Sequence, residues 1–339
     1  MAKGDDAVEL ELAGRTVRIT SPDKVFFSAQ GHTKLDLVEY YRQMEPQVMA
    51  TMGGRPTLMQ RFPDGAEGKS FFQKRVPKGA PEWLETTVVS TPNGTTSNAM
   101  VAADIAHVAW AVNMGCLGFH PWPYRAADPT HTDELRIDLD PGPGVNWPDI
   151  VAGALLVREY FDEIGLTPYV KTTGRRGIHI YVRLQPRWDG YQVRAAAVAA
   201  ARELERRHPH QLTAAWWKEE RGERVFIDFN QNAPHKTVFG AWSVRAHPIA
   251  PVSCPITWGE VTQVEPQDFT IDTVPPLIDR RGDAWATMND HPHDLSPLLD
   301  QAARDEADGL PDAPWPPQYP KMPGEQTRVA PSRARKQDE

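Results

Sequence analysis

Two carboxylates stand one residue apart at the end of the apolar segment LRIDLD, residues 135–140. Because apolar and polar residues alternate there, the segment predicts a strand, and Asp138 and Asp140 point from the same face at its carboxyl end. Carboxylates this close repel each other unless a cation lies between them or one of them takes up a proton. The pair therefore indicates either a metal site or an edge strand whose polar face meets water.

A glycine- and arginine-rich turn follows in TTGRRGIHIYV, residues 172–182. Strands flank this turn, and Gly174 and Gly177 would let its backbone N–H groups and its arginines approach an anion such as phosphate. Past the turn, His179 points away from the apolar residues of its strand and toward the side that Thr173 faces. We interpret His179 as a phosphate contact, with a structural histidine as the alternative.

A third carboxylate, Asp228, lies in another alternating apolar segment, ERVFIDFNQNAPHKT at 223–237. A site with two metal ions needs such an acid, because two carboxylates bridge both ions and a third completes the coordination of one of them. The polar residues that follow, together with Lys236 and Arg245, favour a triphosphate pocket. Taken alone, Asp228 could instead cap a strand end or form an ion pair.

Several regular elements must position these residues. Hydrophobic periodicity and turn residues predict a hairpin at 7–20, strands at 57–61, near 88, at 135–140, 168–171, 178–184 and 225–228, and helices at 34–52, 147–164 and 191–207. From about residue 305 the chain is rich in proline and charge. This composition predicts a largely disordered tail that is inert or touches DNA through its basic end.

Composition sets wider limits on the protein. The 339 residues, 40% of them hydrophobic, suffice for one large domain with two lobes or for two domains. A net charge of −8 argues against a general nucleic-acid coat protein, whereas the basic segments 69–79 and 171–187 indicate an anionic ligand held at a site. The two cysteines are isolated, and we find no signal peptide and no long apolar run, so we expect a cytoplasmic protein without a disulfide framework.

The order of the three motifs resembles that of the archaeo-eukaryotic primase (AEP) superfamily of primase-polymerases: D-x-D, then a hydroxyl residue with G-x-x-G-x-H, then a lone strand aspartate. The likeness is closer to the polymerase domain of bacterial DNA ligase D and its stand-alone relatives, and it covers about residues 8–290. The segments that carry it are PDKVFF (22–27), RFPDG (61–65), KSFFQKRVPKGAPEW (69–83), IDLDPGPG (137–144), KTTGRRGIHIYV (171–182), DFNQN (228–232) and SVRAHPIAPVSCPITWGEV (243–261).

This resemblance implies the α/β (α+β) fold of that family, with two mixed sheets flanked by helices and the active site in the cleft between them. It implies a catalytic domain at 1–290, followed by a C-terminal extension at 291–339. The catalytic domain would divide into a DNA-end-binding lobe at about 1–110 and a metal and nucleotide lobe at about 111–290.

The resemblance also implies roles for residues near the three motifs. Asp138, Asp140 and Asp228 would be the catalytic metal ligands for two ions, Mn²⁺ or Mg²⁺, with Mn²⁺ favoured. The residues that would hold the incoming nucleoside triphosphate are His120, Thr173, Gly174, Arg176, Gly177, His179, Gln231, Lys236 and Arg245. Since the family tolerates or prefers ribonucleotides, His120 is a candidate contact to the 2′-hydroxyl.

A second set of residues would bind DNA. Lys24 and Lys34 correspond to the lysines that bind a 5′-phosphate on the downstream strand, and Lys74 joins the DNA-binding set. Phe71 and Phe72 resemble an aromatic pair that stacks on the template at the edge of a gap. We expect one of these rings to stack and the other to pack in the core.

The implied activity is that of a monomeric, template-dependent primase-polymerase. It would add nucleotides to a primer 3′-hydroxyl at short gaps or broken DNA ends that carry a downstream 5′-phosphate. A separately encoded ATP-dependent DNA ligase is an implied partner, because we find no ligase motif K-x-D-G, and docking to an end-binding protein such as Ku is left open by the sequence. Thr173 replaces the common serine and keeps the hydroxyl, whereas Gln60 stands where relatives often carry a basic residue, which puts one phosphate contact in doubt.

Two other functions compete with this interpretation. A metal-dependent glycosyltransferase also uses D-x-D with Mn²⁺, but it would leave G-x-x-G-x-H unexplained. A non-catalytic module that bridges DNA ends would keep the DNA-binding surface, but the presence of all three acids argues against it. End joining and short-gap excision repair are both compatible with the sequence.

Overall fold

Helices and several sheets alternate along the chain in this computed structural model, which describes residues 6–329 and Arg333. The strands are β1 (Val8–Leu12), β2 (Arg15–Ile19), β3 (Val25–Phe27), β4 (His32–Thr33), β5 (Pro56–Arg61), β6 (Phe71–Gln73), β7 (Thr86–Ser90), β8 (Thr96–Val101), β9 (Cys116–Pro121), β10 (Thr132–Pro141), β11 (Tyr169–Thr172), β12 (Ile178–Trp188), β13 (Leu212–Thr213), β14 (Val225–Asp228) and β15 (Pro255–Ile256). The helices are α1 (Lys34–Gln43), α2 (Glu45–Met52), α3 (Ile105–Asn113), α4 (Trp147–Glu163), α5 (Gly190–Arg207), α6 (Val274–Arg281) and α7 (Ser296–Ala307). This mixture confirms the predicted α/β class.

The larger sheet has the strand order β13-β14-β10-β12-β11-β15. Its central strand β10 buries Leu135, Ile137 and Leu139 completely, which explains the apolar half of the alternating pattern. Helices α4 and α5 pack on this sheet. All neighbours are antiparallel except β13 and β14, which are parallel.

The smaller main sheet joins β6, β5, β8 and β7, with β9 also paired to β5. Every one of these pairs is antiparallel. The expectation of two mixed sheets is therefore wrong for this sheet. Residues 91–95 join β7 to β8 as a hairpin, which makes that pair antiparallel, whereas a parallel pair would need a long crossover.

The helix predicted at 34–52 is interrupted. α1 ends at Gln43 and α2 begins at Glu45, with Met44 as the capping residue between them. Pro46 occupies the first turn of α2, where its missing N–H costs nothing. In the interior of one long helix the same proline would remove a hydrogen bond and clash with the preceding turn, so the chain begins a new helix instead.

A buried ion network joins the two main sheets. The fully buried Arg55, just before β5, lies 2.7 Å from Asp133 Oδ1 and 2.9 Å from Glu134 Oε1, both on β10. Arg183 of β12 reaches the same two carboxylates at 3.1 Å. Burial opposes ionisation of Asp133, but Arg55 and Arg183 outweigh it and hold its pKa at about 2. The buried ion pairs of this network therefore link the two sheets.

The C-terminal region differs from the disordered tail that its composition predicts. α7 extends to Ala307, and residues 311–325 run along α5 with Trp315 and Tyr319 buried. These two rings pack against α5 and against residues outside that helix, and composition alone does not reveal such contacts. The predicted basic end falls largely on 330–332 and 334–339, outside the described residues. In the described part of the chain, no helix has both the length and the apolar surface to cross a membrane.

Candidate active site

One row of side chains crosses the larger sheet. The strand register sets Asp138 of β10 opposite Asp228 of β14 on one side and opposite His179 of β12 on the other. Lys171 of β11 is in turn opposite His179. Residues directly opposite each other share a face of the sheet, so two acids, a histidine and a lysine lie side by side.

The three acids predicted as metal ligands come together in this row. One carboxylate oxygen from each of Asp138, Asp140 and Asp228 lies within 4.8 Å of the others. The Gln231 side chain donates hydrogen bonds to Asp228 Oδ2 at 2.8 Å and to Asp138 Oδ2 at 3.3 Å. His179 Nε2 lies 3.1 Å from Asp138 Oδ1, but the two are not aligned for a hydrogen bond. Asp138 Oδ1 is therefore a buried oxygen without a hydrogen-bond partner among the described residues.

The pKa of each of the three acids is raised. Burial raises the pKa of Asp138 to about 6, although Lys171 and Arg245 oppose the shift. Burial and the neighbouring Asp138 raise the pKa of Asp140 to about 6, and burial with both other acids raises the pKa of Asp228 to about 7. A divalent cation would relieve this repulsion and occupy the unpaired oxygen, and carboxylate oxygens are the ligands that hard cations prefer. The residues present therefore fit a divalent cation site.

The turn between β11 and β12 approaches these acids closely. Thr173 Oγ1 accepts a hydrogen bond from the backbone N–H of Gly177 at 3.2 Å, which closes the turn. A Cβ on Gly174, whose φ is +70°, would lie 2.9 Å from Arg245 Cγ, and a Cβ on Gly177 would lie 2.7 Å from the Leu139 carbonyl oxygen. The close approach of neighbouring atoms therefore requires glycine at both positions of the predicted anion-binding turn, and the positive φ requires it at Gly174 as well.

A cavity of about 690 Å³ opens beside the acids and the turn, a size typical of small-molecule sites. The residues that line it are Asp138, Asp140, Pro141, Thr173, Gly174, Arg175, Arg176, Gly177, His179, Lys218, Arg221, Arg245, His247, Ile249, Pro251, Pro266 and Gln267. Acids at one end and several cations around them suit a ligand that carries several negative charges and a bound metal.

Three cations of this region were missed at the level of sequence. Lys171 is fully buried and donates a hydrogen bond to Ser253 Oγ, and burial and Arg245 lower its pKa well below the ordinary value. Lys171 lies two residues before Thr173 and therefore on the same face of the strand, and this spacing could have identified it. Lys218 and Arg221 line the cavity from the short 3-10 helix Lys218–Glu220 and the residue that follows it, an element too short for periodicity to predict which way a side chain points.

Arg245 lies where the sequence predicts a phosphate contact. Its Nε donates a hydrogen bond to the Thr173 carbonyl at 2.8 Å, and its guanidinium lies 3.5 Å from the centre of the Phe239 ring. Burial and the nearby Arg175 lower its pKa to about 10, so it remains cationic at neutral pH. The side chain is thus held rigidly at the cavity wall.

His120 of β9, in the smaller sheet, packs on the Phe239 ring that Arg245 also contacts, but it does not line the cavity. Its ring stands edge-on to Phe239 at 5.1 Å and to Phe72 at 5.4 Å. Burial and Arg245 lower its pKa to about 3, which keeps the ring neutral. His120 Nε2 has no hydrogen-bond partner among the described residues. Lys236, predicted beside the triphosphate, is partly buried, and burial lowers its pKa with partial compensation from Asp228.

The lysines predicted to bind a 5′-phosphate are neighbours. The backbone N–H of Lys34 donates to the Lys24 carbonyl at 2.8 Å. The Lys24 ammonium donates to the Pro63 carbonyl at 2.6 Å and to Asp64 at 3.1 Å. Lys34 donates to the Thr20 carbonyl, and burial together with Lys24 lowers its pKa. Two cations held this close favour an anion between or beside them.

Both rings of the predicted stacking pair are exposed. Phe71 is 47% exposed and Phe72 is 59% exposed, so the expectation that one of them packs in the core is wrong. They lie on β6, a three-residue strand at the edge of the smaller sheet, where neither face is covered. Arg61 lies 5.1 Å from the Phe71 ring, and the Lys74 ammonium lies 6.0 Å from the ring of Trp122.

Comparison with known proteins gives concordant matches. Residues 33–285 match the family model described as LigD, primase-polymerase domain. The multifunctional non-homologous end joining protein LigD of Mycolicibacterium smegmatis is 31% identical over 275 residues, which cover 80% of this chain and 36% of that protein. The bifunctional non-homologous end joining protein LigD of Bacillus subtilis is 29% identical over 289 residues, covering 84% of this chain and 46% of that protein.

The fold is similar to that of the polymerase domain from Mycobacterium tuberculosis ligase D, solved in complex with DNA. The TM-score is 0.75 at 29% identity, and the match covers 81% of this chain and 98% of that chain. The chain thus spans between about a third and a half of the length of the two LigD proteins, but nearly all of this solved domain.

Proposed function

The chain belongs to the LigD primase-polymerase domain family, and on that premise we propose that it is a template-dependent nucleotidyltransferase of DNA repair. It adds nucleotides, with ribonucleotides preferred, to a primer 3′-hydroxyl at short gaps or broken ends that carry a downstream 5′-phosphate. The observation that carries this proposal is the convergence of three carboxylates within 4.8 Å beside a cationic cavity of about 690 Å³. A glycosyltransferase would not account for this family membership.

Asp138, Asp140 and Asp228 are the proposed ligands of two divalent cations, Mn²⁺ or Mg²⁺. In such sites the cations lower the pKa of the attacking hydroxyl and neutralise charge on the triphosphate and the departing diphosphate. Gln231, whose amide already bridges Asp228 and Asp138, orients these two carboxylates for the task.

The turn and the cavity cations are proposed to bind the triphosphate. Thr173 holds the turn in a shape that presents backbone N–H groups, and Arg176 lies exposed at its tip. Arg245 is fixed before the ligand arrives, so its charge stabilises the transition state without a cost of reorganisation. Burial keeps His179 neutral by lowering its pKa well below the ordinary value, and its unpaired Nδ1 leaves the ring free to hydrogen-bond a phosphate oxygen.

His120 is the proposed contact to the ribose 2′-hydroxyl. Its neutral ring carries a buried, unpaired Nε2 between the aromatic rings of Phe72 and Phe239. A buried nitrogen without a partner is costly, and a hydroxyl placed there would satisfy it. A deoxyribonucleotide lacks that hydroxyl, which would give the site a preference for ribonucleotides.

DNA binding is proposed for the lobe formed by about residues 1–110, and metal and nucleotide binding for about 111–290. Lys24 and Lys34 would bind the downstream 5′-phosphate, and the exposed rings of Phe71 and Phe72 would stack on bases, at about 1–3 kcal/mol for each base. Lys74 would add a backbone contact. Ku and a separate ATP-dependent DNA ligase are the proposed partners of a monomeric enzyme.

Extension of a labelled primer across a short gap tests this function. The substrate carries a downstream 5′-phosphate in one arm and a 5′-hydroxyl in the other, with Mn²⁺ and either NTPs or dNTPs. We expect templated addition by the wild type, stronger with the 5′-phosphate and with NTPs, and none by the double variant Asp138→Ala/Asp140→Ala. Asp162→Ala, which removes an exposed carboxylate on α4, serves as the control. Tight binding of gapped DNA by the wild type without any addition would instead establish a module that only bridges ends.

A further inference from the structure

Residues 311–325 form a segment that we name the C-terminal strap. It lies outside residues 33–285, the part of the chain that matches the family model. The strap packs beside the loop at 228–236, which begins at Asp228 and ends at Lys236. This loop carries one proposed metal ligand and the Gln231 amide that bridges two of them.

Arg194 of α5 joins the strap to that loop. Its Nε donates to Asn230 Oδ1 at 2.7 Å, and one of its terminal nitrogens donates to the Ala313 carbonyl at 2.8 Å. Its other terminal nitrogen lies 3.1 Å from Asp312, and its guanidinium lies 3.7 Å from the centre of the Trp315 ring. The buried Arg194 guanidinium therefore hydrogen-bonds to the loop through Nε and to the strap through its two terminal nitrogens.

The strap also contacts the loop directly. Asn230 Nδ2 donates to the Pro314 carbonyl at 2.9 Å, and the Tyr319 hydroxyl donates to the Pro234 carbonyl. The rings of Trp315 and Tyr319 form an apolar cluster with Ala233 of the loop. The amide of Asn230 is thus shared between α5 on one side and the strap on the other.

Two further anchors of the loop come from the catalytic body. Asn232 exchanges two hydrogen bonds with the backbone of Arg136 in β10, at 2.8 and 2.6 Å. The His235 ring lies 3.0 Å from Ser90 Oγ at the end of β7. Neither anchor holds Asn230, and Asn230 lies between the two residues that reach the acids, Asp228 and Gln231.

We propose that the C-terminal strap is a positioning element of the active site, and that Trp315 and Tyr319 are its positioning residues. Through its contacts with Asn230 and Pro234, the strap keeps the Asp228 carboxylate in the geometry that binds the cation. Groups that orient metal ligands commonly change metal affinity by about 10- to 100-fold when they are removed. Because the strap acts through the loop, we expect an effect on the order of 10-fold. The consequence for catalysis rests on the proposed function, whereas the consequence for metal binding does not.

The test measures Mn²⁺ binding by the full chain, from the electron paramagnetic resonance signal of free Mn²⁺, without DNA or nucleotide. We expect Trp315→Ala to weaken binding about 10-fold, Tyr319→Phe to weaken it less, and Trp315→Phe to restore most of it. Trp258→Ala is the control. It removes a partly buried tryptophan whose indole N–H donates to the Pro168 carbonyl and whose ring contacts Arg158 of α4 rather than the 228–236 loop, so it lowers thermal stability but leaves Mn²⁺ affinity unchanged.

Wild-type Mn²⁺ affinity in a folded Trp315→Ala protein would overturn the proposal and leave the strap a packing element. If Trp315→Ala does not fold, Tyr319→Phe decides in the same way, because it removes one hydroxyl and keeps the ring. Gap filling by the same variants should fall in proportion to the affinity and recover at high Mn²⁺. If the wild type shows no extension at all, the proposed function fails while the binding result still stands.

Discussion

Replacing Asp228 by asparagine should stabilise the metal-free protein while abolishing its activity. The pKa of Asp228 is raised from 3.8 to about 7, by burial and by Asp138 and Asp140. A raised acid pKa means that the folded state holds the proton more tightly than the unfolded chain. Asparagine keeps an oxygen for the Asn230 N–H, and the Gln231 amide can turn over to accept from the new amide, at the cost of its long hydrogen bond to Asp138 Oδ2. It carries no charge, so the repulsion disappears.

The size of the effect follows from the shift. One pKa unit is worth about 1.4 kcal/mol, so a shift of about three units sets a limit of about 4 kcal/mol. Asp228 still reaches solvent, and its titration is linked to those of the other two acids, so about 2 kcal/mol is the expected gain. For a chain of this length that gain raises Tm by about 3 °C.

The raised pKa of Asp228 also predicts how the gain in stability depends on pH. The three acids, whose pKa values are raised, bind more protons in the folded protein than in the unfolded chain between pH about 4 and 7, so their contribution to stability falls as pH rises through that window. The lowered pKa values of the buried His120 and His179 act in the opposite sense below pH about 6.5, so the assay compares Asp228→Asn with the wild type at each pH. Thermal unfolding with a chelator should show the full gain of Asp228→Asn at pH 8, about half of it at pH 5.5, and none below pH about 4. Mn²⁺ at pH 8 should stabilise the wild type more than the variant.

A loss of stability in Asp228→Asn at pH 8, equal to its loss at pH 5.5, would refute this reasoning. It would mean that hydrogen bonding, rather than charge, dominates at the position. Asp162→Asn on α4 is the matched control, since its carboxylate is exposed and its change should stay within about 0.5 kcal/mol.

Three further substitutions test other parts of the structure. Gly177→Ala should displace the turn and raise the KM for NTP about tenfold or more in steady-state kinetics. Gly79→Ala, at a position where a Cβ meets open space, is the control and should leave KM unchanged, and equal KM values for the two variants would contradict the close approach. Arg55→Met should lower the free energy of unfolding by about 3 kcal/mol in urea titrations, because it removes one of the buried guanidiniums that pair with Asp133 and Glu134 and leaves Arg183 and the other arginines to compensate their charges; a change below about 1 kcal/mol would show that Arg55 is dispensable. Phe72→Ala should weaken binding of gapped DNA by about 1–3 kcal/mol in fluorescence titrations at constant Tm, since the ring is exposed, and a drop in Tm would assign it to packing instead.

Much of the site was accessible from local sequence. Alternation with period two indicated the strands that carry Asp138, Asp140 and Asp228, and the strand predicted at Val225–Asp228 is confirmed. The glycine turn was also identified correctly, because the steric need for glycine is set by the few residues around it. Motif order alone placed the chain in its family, and the family match confirms it.

Other features depend on which elements become neighbours. Lys171 enters the site only because β11 pairs with β12 in one register, and register is set by hairpin geometry and by burial across strands. Both rings of Phe71 and Phe72 are exposed because β6 is an edge strand, and the residues themselves do not reveal this. The break before Pro46, by contrast, follows from proline alone and could have been predicted.

The sequence by itself determined the strand and helix segments, the family and the chemical types of the active-site residues, since these follow from short-range pattern and from residue chemistry. Only the tertiary structure decided the cross-strand row, the pairing of Arg55 with two acids from β10 and the return of Trp315 to the loop behind Asp228. The physical reason is that contacts between residues far apart in the chain depend on the packing of whole elements. No local pattern encodes such packing.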